Sequence, residues 1–147
     1  MSTELIERYL RTRRRRYFRG QHDGEFFFIL TVGHERLHVH LESSRGDGNI
    51  VTIRVTPGYF FPARERARLL EFADRWNHND QRAKALVHES TDPNRIGLDA
   101  ENSCPGHDIK FEDFADFADE TIRSAVDLFG AISPGPSSQQ SWLPDAS

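Results

Sequence analysis

The chain has 147 residues, of which 37% are hydrophobic and 29% charged, and carries a net charge of −4. That length suits one domain with a real core and is short for two, and eleven phenylalanines exclude a disordered chain. No apolar run is long enough to cross a bilayer, the basic start is not followed by an apolar stretch with a small-residue cleavage site, and the single cysteine, Cys104, excludes an internal disulfide, so a soluble cytoplasmic protein is expected.

The first element read along the chain is a helix from Thr3 to about Arg15, with Leu5, Ile6, Tyr9 and Leu10 on one face and arginines elsewhere. Ser2 or Thr3 can cap it, and Glu4 suits its first turn. From Tyr17 the pattern becomes extended, Gln21-His22-Asp23-Gly24 signals a turn, and Glu25 to Val32 is a β-favouring run. Gly33-His34 reverses the chain into Leu37, Val39 and Leu41, which alternate with His38, His40 and Glu42 as a strand buried on one face requires. The polar segment from Ser43 to Asn49 leads to a second alternation, Val51, Ile53 and Val55. These connections are too short for parallel crossovers, so the strands form an antiparallel meander.

Pro57-Gly58 ends the sheet run, and Pro62 suits the first turn of a helix that reaches about Asn77. Its apolar face is read as Leu69, Leu70, Ala73 and Trp76, with Trp76 filling the core and the Asn77 amide closing the helix end. Two further strands are expected over Arg82 to Glu89 and Arg95 to Glu101, around a Thr91-Asp92-Pro93-Asn94 turn. The closing helix is marked by the stripe Phe111, Phe114, Ala118, Ile122, Ala125 and Phe129, with Gly130 as its stop. The whole reads as an α+β domain over residues 1–132, with an antiparallel sheet of five to six strands and N-terminal, middle and C-terminal helices. Residues 133–147, rich in Pro and Ser, read as a disordered tail.

Leu69-Leu70-x-Phe72 followed by Trp76-Asn77, Lys84-Ala85-x-Val87, Gly97-x-Asp99 and the phenylalanine-rich closing helix with Leu128-Phe129 form a further pattern. Together with the order of elements over roughly Leu5 to Ala131, it resembles the YbjN-type family, a group of proposed bacterial sensory transduction regulators. The resemblance implies the type III secretion chaperone-like fold and a dimerising, partner-binding protein without known catalysis.

No catalytic constellation is visible in the residues themselves. No Gly-x-Ser-x-Gly occurs, Ser90 sits at an ordinary strand end, and Cys104 has only His107 nearby to lower its pKa. His38 and His40 project from one face of a strand at chelating spacing, but no third ligand is visible; Cys104-Pro105-Gly106-His107 is one half-site without a second pair. No metal, cofactor or enzymatic activity is therefore expected. The acidic residues Glu112, Asp113, Asp116, Asp119 and Glu120 read as a solvated helix face, and Arg45-Gly46-Asp47-Gly48 as a turn.

Two surfaces remain as binding candidates. Tyr59-Phe60-Phe61 cannot all point inward, and with Arg64 and Arg68 one helical turn apart beside them they are the expected site for a protein or peptide partner of a homodimeric adaptor. The alternative is a nucleic-acid-associated regulator working through Arg11, Arg13, Arg14, Arg15 and Arg16, since residues 1–19 carry +5 against −9 on the remainder. The same polarity can be satisfied within the molecule or by a second copy. A metal-binding protein is the third and weakest alternative.

Overall fold

Helix α1, Ser2–Thr12, opens the structure, a computed structural model that describes residues 2–44 and 50–132. The expected Arg45-Gly46-Asp47-Gly48 turn and the tail over 133–147 lie outside the described residues. Ile6, Tyr9 and Leu10 are fully buried, as the helical spacing predicts. The helix stops three residues earlier than expected, because Arg14 takes a left-handed φ of 55° that turns the chain into an extended course.

Seven antiparallel strands follow among the described residues: β1 (Tyr17–Arg19), β2 (Glu25–Val32), β3 (Glu35–Ser43), β4 (Ile50–Pro57), β5 (Phe61–Pro62), β6 (Lys84–Glu89) and β7 (Arg95–Pro105). Gly33, with φ 62°, makes the tight β2–β3 turn in a conformation that a Cβ would strain. Strands β1 to β4 run in order as a meander, and β7 pairs with β4 on one edge and β6 on the other. The sheet exceeds the expected count through the two shortest strands, β1 and β5, which are too brief to show a period of their own. The final strand also runs on to Pro105, beyond the expected end at Glu101.

Pro62 belongs to β5 rather than to a helix: it pairs with Arg95, and a 3-10 turn over Ala63–Glu65 precedes α2 (Arg66–His78). In α2 the packed positions are Leu69, Phe72, Ala73 and Trp76, at the i, i+3, i+4, i+7 spacing of one face. Leu70, expected among them, is rotated off that face and is 50% exposed. Helix α3 (Phe111–Ala131) buries Phe114, Ala118, Ile122, Ala125 and Phe129 against the sheet, with Phe111 half-buried at its start, and it runs through Gly130 instead of stopping there. The buried residues of all three helices join one cluster with Phe26, Phe28, Val39, Ile53, Val55, Leu98 and Ala100 of the sheet. The helices therefore cover one face of the sheet, and no helix among the described residues covers the other.

Side chains close the start of the outer edge at β6. The Trp76 indole N–H donates to the Ala83 carbonyl at 2.9 Å, and the Ala83 N–H donates to Ser124 Oγ at 3.1 Å. The Asn77 amide donates to the Ala85 carbonyl at 3.0 Å and accepts the Ala85 N–H at 2.8 Å. Asn77 thus satisfies the edge of a strand as a neighbouring backbone would, while the end of α2 is closed by Asn79, whose amide donates to the Arg75 carbonyl. Asn77→Ala leaves both Ala85 groups without protein partners at a part-buried position and is expected to cost ~1–3 kcal/mol in urea unfolding. A midpoint unchanged from wild type would show that water replaces both bonds.

Candidate functional site

Side chains on the helix-free face come from alternate positions of every long strand. Register sets them in rows: Phe18, Phe27, His40, Arg54, Glu101 and Lys84 stand opposite one another across six strands, and Ile29, His38 and Thr56 form a second row. Phe18 and Phe27 stack with ring centroids 5.5 Å apart, and Phe18 is 51% exposed. Ile29 and Leu86 on the same face are exposed as well. The polar members pair with each other: Arg54 Nε donates to Glu101 Oε1 at 2.9 Å, and Thr52 and Ser103 hydroxyls lie 2.9 Å apart. The face is therefore apolar toward β1 and β2 and charged toward β7.

A hollow interrupts this face. Strand β4 is paired with β7 through Val55 and Ala100, and β5 rejoins β7 at Phe61 and Ile96, so the chain between them arches away from Gly97 to Asp99. The gap is a cavity of about 160 Å³ lined by Thr56, Pro57, Tyr59, Phe60, His88 and Asp99. His88 Nε2 lies 3.1 Å from Asp99 Oδ1, and its ring rests on Gly97, where an added Cβ would stand 2.3 Å from Cε1. The Gly97-x-Asp99 pattern thus places both residues under one imidazole. Burial pushes the Asp99 carboxyl up, outweighing the nearby His88 and Arg54 charges.

Of the residues expected to bind a partner, only some share a surface. Phe61 is fully buried, Tyr59 packs edge-on to it at 5.3 Å, and Phe60 is the exposed member at 38%. The Tyr59 hydroxyl is buried without a hydrogen-bond partner. Phe60 faces the hollow on the open side, whereas the Arg68 guanidinium lies 5.8 Å from the Phe61 ring on the helix side and hydrogen-bonds Glu65. Arg64, in the 3-10 turn, is exposed. Sequence spacing puts the aromatics and arginines together; in the fold Tyr59 and Phe60 line the hollow, while Arg68 lies over the buried Phe61 ring and pairs with Glu65.

The arginine run is partly engaged inside the molecule. Arg13 makes a bidentate pair with Asp119 of α3, at 2.6 Å from Nη2 and 3.1 Å from Nε, and the Arg15 guanidinium lies 4.9 Å above the Phe28 ring. Arg11 reaches Glu7 at 4.0 Å, while Arg14 and Arg16 are exposed. Asp119 accordingly departs from the solvated acidic face expected of α3.

Burial pushes the Cys104 thiol pKa up to about 11, and His107 is exposed. The histidines separate as well. His38 is exposed, while His40 Nε2 lies 2.8 Å from Glu25 Oε2. Beside that pair, His22 Nε2 lies 2.6 Å from Glu42 Oε2, and ligand atoms of His22, Glu25 and Glu42 all lie within 4.8 Å of one another.

Residue spacing did not point to the Phe18–Phe27 pair or to the role of His22. A signal for the first exists: Glu25 to Val32 is apolar at both parities, Phe26 and Phe28 on one and Phe27 and Ile29 on the other, which a strand with a single buried face does not need. His22 has no such signal, because a turn returns it to a strand twenty residues away.

No family model and no curated protein matches the chain in sequence. Among solved structures, it is similar to YbjN of E. coli, described as a candidate transcription regulator, with a TM-score of 0.66 and 13% identity over 85% of this chain and 86% of that one. It is also similar to an uncharacterized protein from Methanothermobacter thermautotrophicus, with a TM-score of 0.54 and 8% identity over 89% of this chain and 96% of that one. No helix among the described residues is long and apolar enough to cross a membrane. The antiparallel sheet with helices packed on it, expected from the order of elements, is an α+β fold that matches the structure of YbjN.

Proposed function

We propose that the chain is a non-enzymatic, cytoplasmic protein-binding adaptor or regulator, acting as a homodimer, whose contact surface is the helix-free face of the sheet. The observation that carries this reading is the exposed apolar group on that face, Phe18 stacked on Phe27 with Ile29 beside them. Contiguous exposed aromatics on a folded chain mark association surfaces, because each contact with a partner removes apolar area from water. The paired charges of Arg54 and Glu101 supply a polar rim that fixes orientation more than affinity. The likeness to YbjN supports a regulatory role in that its structure is described as a candidate transcription regulator.

Proteins recovered with the tag-free chain from its native cells test the proposal. Phe18→Ser with Phe27→Ser is expected to lower recovery of a specific partner about tenfold or more, the effect of losing a central aromatic anchor, while the far-UV spectrum stays as in wild type. Light scattering on the same variant reads whether the homodimer also forms through this face, since the mass then halves. Full recovery and unchanged mass, with recovery lost in Arg68→Ser, would transfer the contact to the helix side and overturn the open-face reading.

A further inference from the structure

We propose that His22, Glu25 and Glu42 form a binding site for one divalent transition-metal ion of the zinc class, with His40 as a positioning residue. The inference is independent of the adaptor reading. Glu25 of β2 and Glu42 of β3 stand directly opposite each other in register, on the open face. Like charges in that relation repel unless a cation or a proton donor meets them, and here each carboxylate is met by one imidazole. Into the space beside them the turn after Gly20 returns His22, held by the Glu25 N–H donating to the His22 carbonyl at 3.1 Å.

The donor atoms suit an ion. A tetrahedral ion with bonds of about 2.0–2.2 Å holds its ligands roughly 3.4 Å apart. His22 Nε2 and Glu42 Oε2 are now 2.6 Å apart, and all three donors fall within 4.8 Å, so rotamer shifts of an ångström or so bring them to that spacing. Two carboxylates with one neutral imidazole cancel a dication, and the imidazole favours zinc-class ions over calcium or magnesium. Glu25 is already oriented: its Oε1 accepts the Gln21 N–H at 2.8 Å, and its Oε2 lies 2.8 Å from His40 Nε2. Such outer hydrogen bonds hold a ligating carboxylate in place. His22 now accepts the Gly24 N–H at Nδ1 over 3.2 Å, so binding through Nε2 transfers its proton to Nδ1 and gives up that long contact. Three protein ligands leave a fourth position for water or for a donor from a bound partner.

Of the two histidines at chelating spacing only His40 borders the site, because His38 stands one row away. Titration of the tag-free, metal-stripped full chain with Zn²⁺ in a calorimeter, alongside Co²⁺ followed by its visible absorption, tests it. One ion per chain is expected. His22→Ala and Glu42→Gln should each weaken Zn²⁺ binding at least about tenfold, His40→Ala about tenfold, and His38→Ala should leave it unchanged. Glu42→Gln keeps the shape of the side chain, so it reads the site even if the turn variant folds poorly. Absence of saturable Zn²⁺ binding, equal affinity for Mg²⁺, or loss of binding in His38→Ala would each overturn the proposal.

Discussion

Phe114→Ala is expected to destabilise the fold by ~3–5 kcal/mol, the range for removing a large buried aromatic and leaving a cavity. Phe114 is fully buried on α3, and its ring meets Tyr9 of α1 edge-on at 5.9 Å, so one side chain joins the first helix to the last. Native domains hold only about 5–15 kcal/mol in total, so this one change removes a large share of the stability. Urea unfolding followed by circular dichroism should show a much lower midpoint with the slope preserved, since the surface exposed on unfolding is nearly the same. A midpoint within experimental error of wild type would mean that α1 and α3 are not joined through this ring.

Asp119→Ala is expected to cost ~1–3 kcal/mol and to remove an acid-dependent part of the stability. The carboxylate accepts the Tyr9 hydroxyl at 2.6 Å and both Arg13 nitrogens, linking residues more than a hundred positions apart. Partial burial pushes its pKa up, but the Arg13 and Tyr9 hydrogen bonds and the charges of Arg13 and Arg123 outweigh that and hold it below the ordinary carboxylate range. Because the folded value is depressed, the contribution is present in full above roughly pH 5 and is lost as pH falls through the folded pKa. Wild type should therefore lose its advantage over the variant on acidification, whereas Tyr9→Phe, which keeps the Arg13 pair, should retain most of the acid dependence. Both side chains of the pair are about a third exposed, so added salt should weaken it in part. An equal gap between wild type and variant at every pH would sink this account.

The strands and helices were legible wherever neighbours in the chain share an environment. Leu37, Val39 and Leu41, and Val51, Ile53 and Val55, alternate because each strand has a wet side and a dry side, and all six side chains are buried. The stripe of α3 was equally plain, and Tyr59-Phe60-Phe61 divides as three consecutive aromatics must, with Phe61 buried and Phe60 exposed. Short strands such as β5 were not legible, since two residues have no period, and neither was the hollow that β5 creates by rejoining β7.

The candidate surfaces were legible only in part. The aromatic triplet and the arginines at 64 and 68 are adjacent in sequence, and that adjacency says nothing about which side of a sheet each one takes. Arg13 looked like part of a free basic run because its partner, Asp119, lies at the far end of the chain. Glu42 looked like an ordinary outward residue until the turn set His22 against it.

By itself the amino-acid order determined which of the longer segments become strands and helices and which of their faces are apolar, because those properties follow from local sterics and from the 2.0 and 3.6 residue periods. Only the tertiary structure decided which of two apolar faces of β2 stays uncovered and which charges meet, since both depend on where the helices pack. Among the described residues three helices cover a single side of the sheet, and no helix covers the other side, which carries Phe18, Phe27, Glu25 and Glu42 with His22 beside them.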